Sequence, residues 1–236
     1  MVKIIEQSYE IITNLDGLVI LRNIEKAART CYKSEHLITE NGESAKKLCR
    51  MLVKRGHTAM LEFGGMIHVL IICNRGLTHE LVRHRLNSFA QESTRYCDYS
   101  KDKHGNEITV ILPIDYYGID KELLNYTEYI SIEHNISKNL GTNKNNILNY
   151  KYWKDAMENA EKSYFALRER GVPPQIARGV LPIDVKTEIN IAANPTQWRH
   201  IFRLRTSEAA HPQIRAIMKG ILKDFKEKIP IIFDDL

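Results

Sequence analysis

The sequence predicts an α+β fold, a mixed sheet packed with helices, and three observations carry that reading. Strand-like and helix-like runs follow one another without the regular βαβ succession of a doubly wound or barrel protein. Ile214, Ile217, Met218, Ile221, Leu222 and Phe225 form one continuous apolar stripe at helical spacing, which has to be buried against other elements. No internal repeat and no Gly- or Pro-rich linker divides the 236 residues, so residues 1–236 read as one domain.

Taken in order, residues 2–5 suit a short opening strand, and a helix runs through Ile24, Ala27 and Ala28. Over residues 44–55, Leu48, Met51 and Leu52 recur at helical spacing, and Gly56 stands where a helix end favours a left-handed residue. His57 opens the following loop. Residues 66–73, MIHVLIIC, are dense in Ile, Val and Leu between Gly64-Gly65 and Asn74-Arg75-Gly76, and read as a buried strand. A further strand is expected over 107–112. The Asn-, Lys- and Tyr-rich stretch from Tyr116 to Tyr152 carries helical pattern over 123–132 and no linker. Trp153, Met157, Ala160, Tyr164 and Leu167 mark a helical face that Gly171 and Pro173-Pro174 end, and Pro174 opens a short helix. Residues 186–192 alternate as a half-exposed strand. A helix from Thr196 carries Trp198, Ile201, Phe202 and Arg205 on one side, and Pro212 kinks or restarts it before the final stripe.

Composition narrows the function. Hydrophobic residues at 43% and charged residues at 27% exclude a disordered chain, and the longest apolar run falls well short of the ~20 residues of a membrane span. The opening MVKIIEQSYE has no apolar signal core and carries Glu6 and Glu10, so a cytoplasmic protein is expected. Cys31, Cys49, Cys73 and Cys97 form no CxxC pair, which argues against a zinc site and a disulfide scaffold; no metal is expected. A net charge of +5 suggests mild affinity for anions.

The chemistry concentrates in NRGLTHELVRHRLNSFAQESTRY, residues 74–96, where every strong cation is Arg: Arg75, Arg83, Arg85 and Arg95. Arg's planar fork grips phosphate or carboxylate bidentately, so the cluster favours ordered anion recognition over a solvated face. The alternative is surface ion pairing, as for Glu80 and His84 four residues apart. Residues two apart on a helix point about 200° from one another. Arg83 and Arg85 therefore diverge: one is surface decoration, or the helix ends near them. The small and polar run SFAQESTRY suits a loop in which Ser93 and Arg95 act together on a phosphate.

The pattern Arg-His-Arg, seven residues, then Ser, present as RHRLNSFAQES, resembles the signature of the flavin-dependent thymidylate synthases. AARTCY, HTAMLEF, STRY, ARGVLP and NPTQWRHIFRLRTSEAAHPQIR extend the resemblance in order and spacing over most of the chain. Residues 101–152 match poorly and read as an elaboration. The resemblance implies synthesis of dTMP from dUMP, with methylenetetrahydrofolate as one-carbon donor and hydride passed from NADPH through FAD. It also implies a homotetramer whose sites are shared between subunits. It assigns His57, Glu62, Arg83, His84, Arg85, Asn194 and His200 to FAD, and Glu80, Gln91, Ser93, Arg95, Arg178 and Arg205 to dUMP, with Arg205 catalytic.

Physical chemistry supports these roles unevenly. Arg95 and Arg178 suit a phosphate dianion. Arg205 sits on a largely apolar helix, where an unpaired charge is costly; it meets an anion or a polarised pyrimidine carbonyl, or else a Glu partner. His57 and His84, taken alone, read as satisfied histidines, and Ser93 has no His-Asp pair that would make it a nucleophile. Phe63, Glu80, Ala90 and Ala209 depart from the family pattern. Glu80 matters most, because a carboxylate repels phosphate unless an Arg intervenes. Two rivals stand beside this reading. One is a nucleic-acid-binding module built on residues 75–95 with Phe89, Tyr96 and Tyr99 as stacking platforms, which the weak net charge disfavours. The other is a related flavin enzyme making a different modified deoxypyrimidine nucleotide.

Overall fold

The computed structural model describes residues 1–101, 105–117 and 144–236. They form two compact units interleaved along the chain. The first comprises Met1–Gln7, Asn74–Gly76 and Glu92–Thr187; the second comprises Ser8–Cys73, Leu77–Gln91 and Glu188–Leu236.

In the first unit, β1 (Lys3–Ile5) pairs in parallel with β5 (Thr109–Ile111), Lys3 opposite Thr109 and Ile5 opposite Ile111. Helix α4 (Lys144–Glu169) buries Met157 and Tyr164 in a small core with Val2, Tyr99, Ile108, Val110, Ala177 and Val185. Polar contacts tie the helix in place: Glu161 accepts from the amide of Ile108 at 3.0 Å, and Arg168 forks onto the Asp98 carboxylate through Nε at 3.0 Å and a terminal nitrogen at 2.6 Å. That guanidinium holds the Asp98 carboxyl well below the usual carboxylate range. After Glu169, Gly171 takes φ 81°, and Pro174 opens the short α5 (Pro174–Ala177), with a 3-10 turn over Arg178–Val180. The helix expected over 123–132 lies outside the described residues.

The second unit is built on a four-stranded sheet of order β2-β3-β6-β4. β2 (Ser8–Ile11) runs antiparallel to β3 (Ile67–Asn74), and β4 (Ser88–Gln91) runs antiparallel to β6 (Lys186–Ala193) with Gln91 opposite Ile189. Side chains on β3 and β6 alternate, so Ile67, Val69 and Ile71 enter the core with Ile189, Ile191 and Ala193. The expected strand over 66–73 is thus buried on one face and half-buried on the other. Helices α1 (Gly17–Tyr32), α2 (Glu43–Lys54), α6 (Pro195–Arg205) and α7 (Pro212–Lys228) also belong to this unit. Gly56 follows α2 with φ 70°, as its position implied, and every member of the α7 stripe is buried. Trp198, Phe202, Phe225 and Phe233 pack with ring centroids 5.1 to 5.7 Å apart, which fixes α6 against α7.

Two local expectations change. The first half of SFAQESTRY is strand β4 rather than loop, because pairing with β6 satisfies its backbone and Phe89 packs on the core. Helix α3 (Arg75–Leu81) ends before Arg83, so the two arginines diverge because the helix has stopped.

Candidate active site

Helix α6 carries the site's principal cation. Trp198, Ile201 and Phe202 are buried, and the indole N–H of Trp198 donates to the carbonyl of Ile67 at 3.1 Å. Arg199, only 2% exposed, forks onto the Asp235 carboxylate at 2.6 and 2.7 Å. The helix is therefore held on several sides, and Arg205 at its last position has a fixed origin.

Its guanidinium is equally constrained. Nε donates to the Nε2 of His84 at 3.0 Å, one terminal nitrogen to the Glu80 carboxylate at 2.7 Å, and the other to the Glu80 carbonyl at 3.0 Å. Glu80 is thus the carboxylate partner, and the segment just after α3 forms its seat. His84 is buried and meets His200 edge-on, with centroids 5.5 Å apart. Burial first, then the neighbouring Arg205 and His200, push its pKa down to about 4, so it stays neutral and able to accept. On either side of it, Arg83 and Arg85 are exposed, with no side-chain partner among the described residues. His200 is exposed as well.

The other end of α6 gathers the remaining flavin candidates. Asn194 is the N-cap, its side-chain oxygen accepting from the amide of Gln197 at 2.9 Å. Thr196 donates its hydroxyl to the carbonyl of Thr58 at 2.6 Å, which docks the helix on the 3-10 segment Thr58–Gly64. Gly64 permits this approach, since a Cβ there would lie 2.7 Å from a Pro195 ring carbon. His57, just before this segment, and Glu62, on it, are exposed. Beside His57 opens a cavity of about 610 Å³, apolar where Leu48, Met51 and Met60 line it and polar at Arg29, Cys31 and Arg55. All seven flavin candidates belong to the second unit.

Among the nucleotide candidates, Glu80, Gln91 and Arg205 lie in the second unit, and Ser93, Arg95 and Arg178 in the first. Gln91, on β4, donates to the hydroxyl of Thr78 at 3.1 Å. In the first unit Ser93 accepts from the amide of Arg95 at 3.3 Å, and Arg178 reaches the hydroxyl of buried Thr94 at 3.3 Å. Arg95 lies over the ring of Tyr96, 5.2 Å from its centroid. Two exposed guanidiniums thus flank one turn, without a carboxylate partner among the described residues. Thr94, between two named residues, escaped sequence reasoning although its position pointed to it. Asp235 gave no signal, because its partner lies 36 positions away.

The family model described as thymidylate synthase complementing protein matches residues 20–231. The flavin-dependent thymidylate synthase of Corynebacterium efficiens is 31% identical over 213 residues, covering 90% of this chain and 78% of the relative. The enzyme of the same description from Pyrococcus furiosus is 30% identical over 191 residues, 81% of this chain and 66% of that one. The solved UMP/dUMP methylase PolB from Streptomyces cacaoi shares the fold at a TM-score of 0.72 and 20% identity, over 99% of this chain and 96% of that chain. The chain belongs to the flavin-dependent thymidylate synthase family, and the nucleic-acid-module reading gives way to an enzyme. Among the described residues no helix is long and apolar enough to cross a membrane.

The residues present suit a flavin dinucleotide. Arg83 and Arg85, exposed and without a side-chain partner among the described residues, have the chemistry that a diphosphate requires. Asn194 spends its oxygen on the cap and leaves its amide N–H groups to donate. His57 and His200 present exposed rings.

Proposed function

We propose that this protein methylates the pyrimidine of dUMP to give dTMP, with methylenetetrahydrofolate as carbon donor and NADPH as reductant. FAD, when bound, supplies the hydride that completes the methyl group. The observation that carries this reading is the fixed guanidinium of Arg205, seated on Glu80 and His84 beside Arg83 and Arg85, which have no side-chain partner among the described residues.

Of the five N–H groups of Arg205, three are committed to Glu80 and His84, and two remain. Those two are held in a fixed direction and serve to stabilise negative charge on a pyrimidine carbonyl, which makes Arg205 the catalytic cation. Arg83, Arg85, Asn194, His57, Glu62 and His200 hold the flavin, and His84 acts as its buried floor. In the first unit, Ser93, Arg95 and Arg178 take the nucleotide phosphate, because two exposed guanidiniums, one on the turn and one reaching its Thr94 hydroxyl, match a dianion. Gln91 orients the nucleotide from β4. The active form is a homotetramer of this single-domain chain in the cytoplasm.

Incubating the purified protein with FAD, NADPH, dUMP and methylenetetrahydrofolate and weighing the nucleotide tests this. A product heavier than dUMP by one CH2, a methyl in place of the ring C5 hydrogen, is expected. Flavin oxidation and reduction with dUMP unchanged, or a product of another mass, overturns the reading.

A further inference from the structure

Glu80 holds the side chain proposed to do the chemistry, and its geometry gives it a task different from binding nucleotide. It ends α3 together with Leu81, and both its carboxylate and its carbonyl accept from Arg205, at 2.7 and 3.0 Å. With His84 on Nε, every nitrogen of the guanidinium has a partner within residues 80–84. A side chain with several rotatable bonds is thereby reduced to one orientation before any ligand arrives. The pair is partly shielded, at 19% exposure for the Arg205 side chain and 30% for Glu80. The carboxylate also lets the guanidinium sit partly shielded without the cost of an unpaired charge. The phosphate of a nucleotide is repelled by that carboxylate, and one of the carboxylate oxygens that could accept from a nucleotide donor is already engaged by Arg205.

We infer that Glu80 is a positioning residue that acts through Arg205, aiming its two uncommitted N–H groups, and is not a ligand of the nucleotide. This deepens the function proposed above and rests on the role given there to Arg205. It makes three demands that a direct ligand would not satisfy. Removing the carboxylate lowers turnover without weakening dUMP binding. Gln, whose amide oxygen still accepts, restores part of the loss. In a protein that lacks the guanidinium, changing Glu80 has no further effect.

The test is a double-mutant cycle on the flavin-loaded enzyme, with Glu80→Ala, Glu80→Gln, Arg205→Ala and the double variant Glu80→Ala/Arg205→Ala. Flavin absorbance confirms that each is folded. Turnover and KM come from dTMP formation, and dUMP affinity comes from a direct titration. Glu80→Ala is expected to lower kcat about tenfold to a hundredfold, the scale of one charge-assisted hydrogen bond, with dUMP affinity unchanged or tighter. Glu80→Gln should recover several-fold of that loss. The double variant should match Arg205→Ala. A tenfold weaker dUMP affinity in Glu80→Ala with kcat intact overturns the proposal, as does an additive cycle. Full activity in Arg205→Ala overturns the role of Arg205 itself, and with it this inference, so the two failures are told apart.

Discussion

At His84 a single proton decides how firmly the site is seated. The ring is buried and already accepts from Arg205, so the folded protein keeps it neutral down to a pKa of about 4, whereas an unfolded chain takes the proton near 6.5. Because the folded value is the lower one, the contribution of this residue is complete above pH ~6.5 and is lost as pH falls towards 4, by at most about 3 kcal/mol. Urea midpoints at pH 7 and pH 4.5 should show a larger loss for the parent protein than for His84→Gln; equal losses would remove His84 from the account. Arg178 poses the opposite case, an exposed cation with one hydroxyl contact at 3.3 Å. Arg178→Ala should weaken dUMP binding by roughly 1.5–3 kcal/mol, the value of a hydrogen bond to a charged group, and leave flavin absorbance untouched. Arg83→Ala should do the reverse. Separate titrations with FAD and dUMP check both. The sequence made these cations legible as a set, because Arg in place of Lys marks ordered anion binding. It left Arg205 open between ligand and Glu partner, since the contact at 2.7 Å joins residues 125 positions apart.

Helix α6 shows how one element serves stability and binding at once. Asn194 caps its first turn through the side-chain oxygen, while the amide N–H groups face no partner among the described residues. Asn194→Asp keeps a good cap and removes the donor, so melting should be nearly unchanged while flavin affinity falls. Asn194→Ala should lose about 1 kcal/mol of stability as well, and thermal melts with flavin titrations separate the two. Most elements were legible for the same reason that this helix was: apolar periodicity and Pro or Gly punctuation are local signals. β4 was not legible, because its small and polar residues become strand through pairing with β6, a partner supplied by the fold. The end of α3 was legible only as one of two options. Residues whose partners are adjacent in sequence could be read, and those whose partners arrive from another element could not.

Across the whole chain, the family's pattern covers residues 20–231 and so draws on both units, which explains why motif order carried further than any single motif. The cysteines are expected to stand outside that chemistry. Cys49 and Cys73 are fully buried, burial pushes the Cys49 thiol up to about 12, and none of the four is joined in a disulfide. Replacing all four with Ala should cost stability, roughly 1 kcal/mol at each buried site, yet leave dTMP formation measurable. Complete loss in a folded, flavin-bound variant would point to a thiol nucleophile. The grip of Arg199 on Asp235 bears on the lifetime of the protein in a cell. The guanidinium is 2% exposed, whereas the carboxylate that neutralises it is 45% exposed and lies one residue before Leu236. Removing that carboxylate, as in Asp235→Ala, would leave a buried charge under α6 without its counter-ion, at a cost of about 3–5 kcal/mol, a sizeable share of what holds a domain of this kind together. A change at one exposed carboxylate would therefore loosen the interior, and the altered protein would open to proteases more often than the parent.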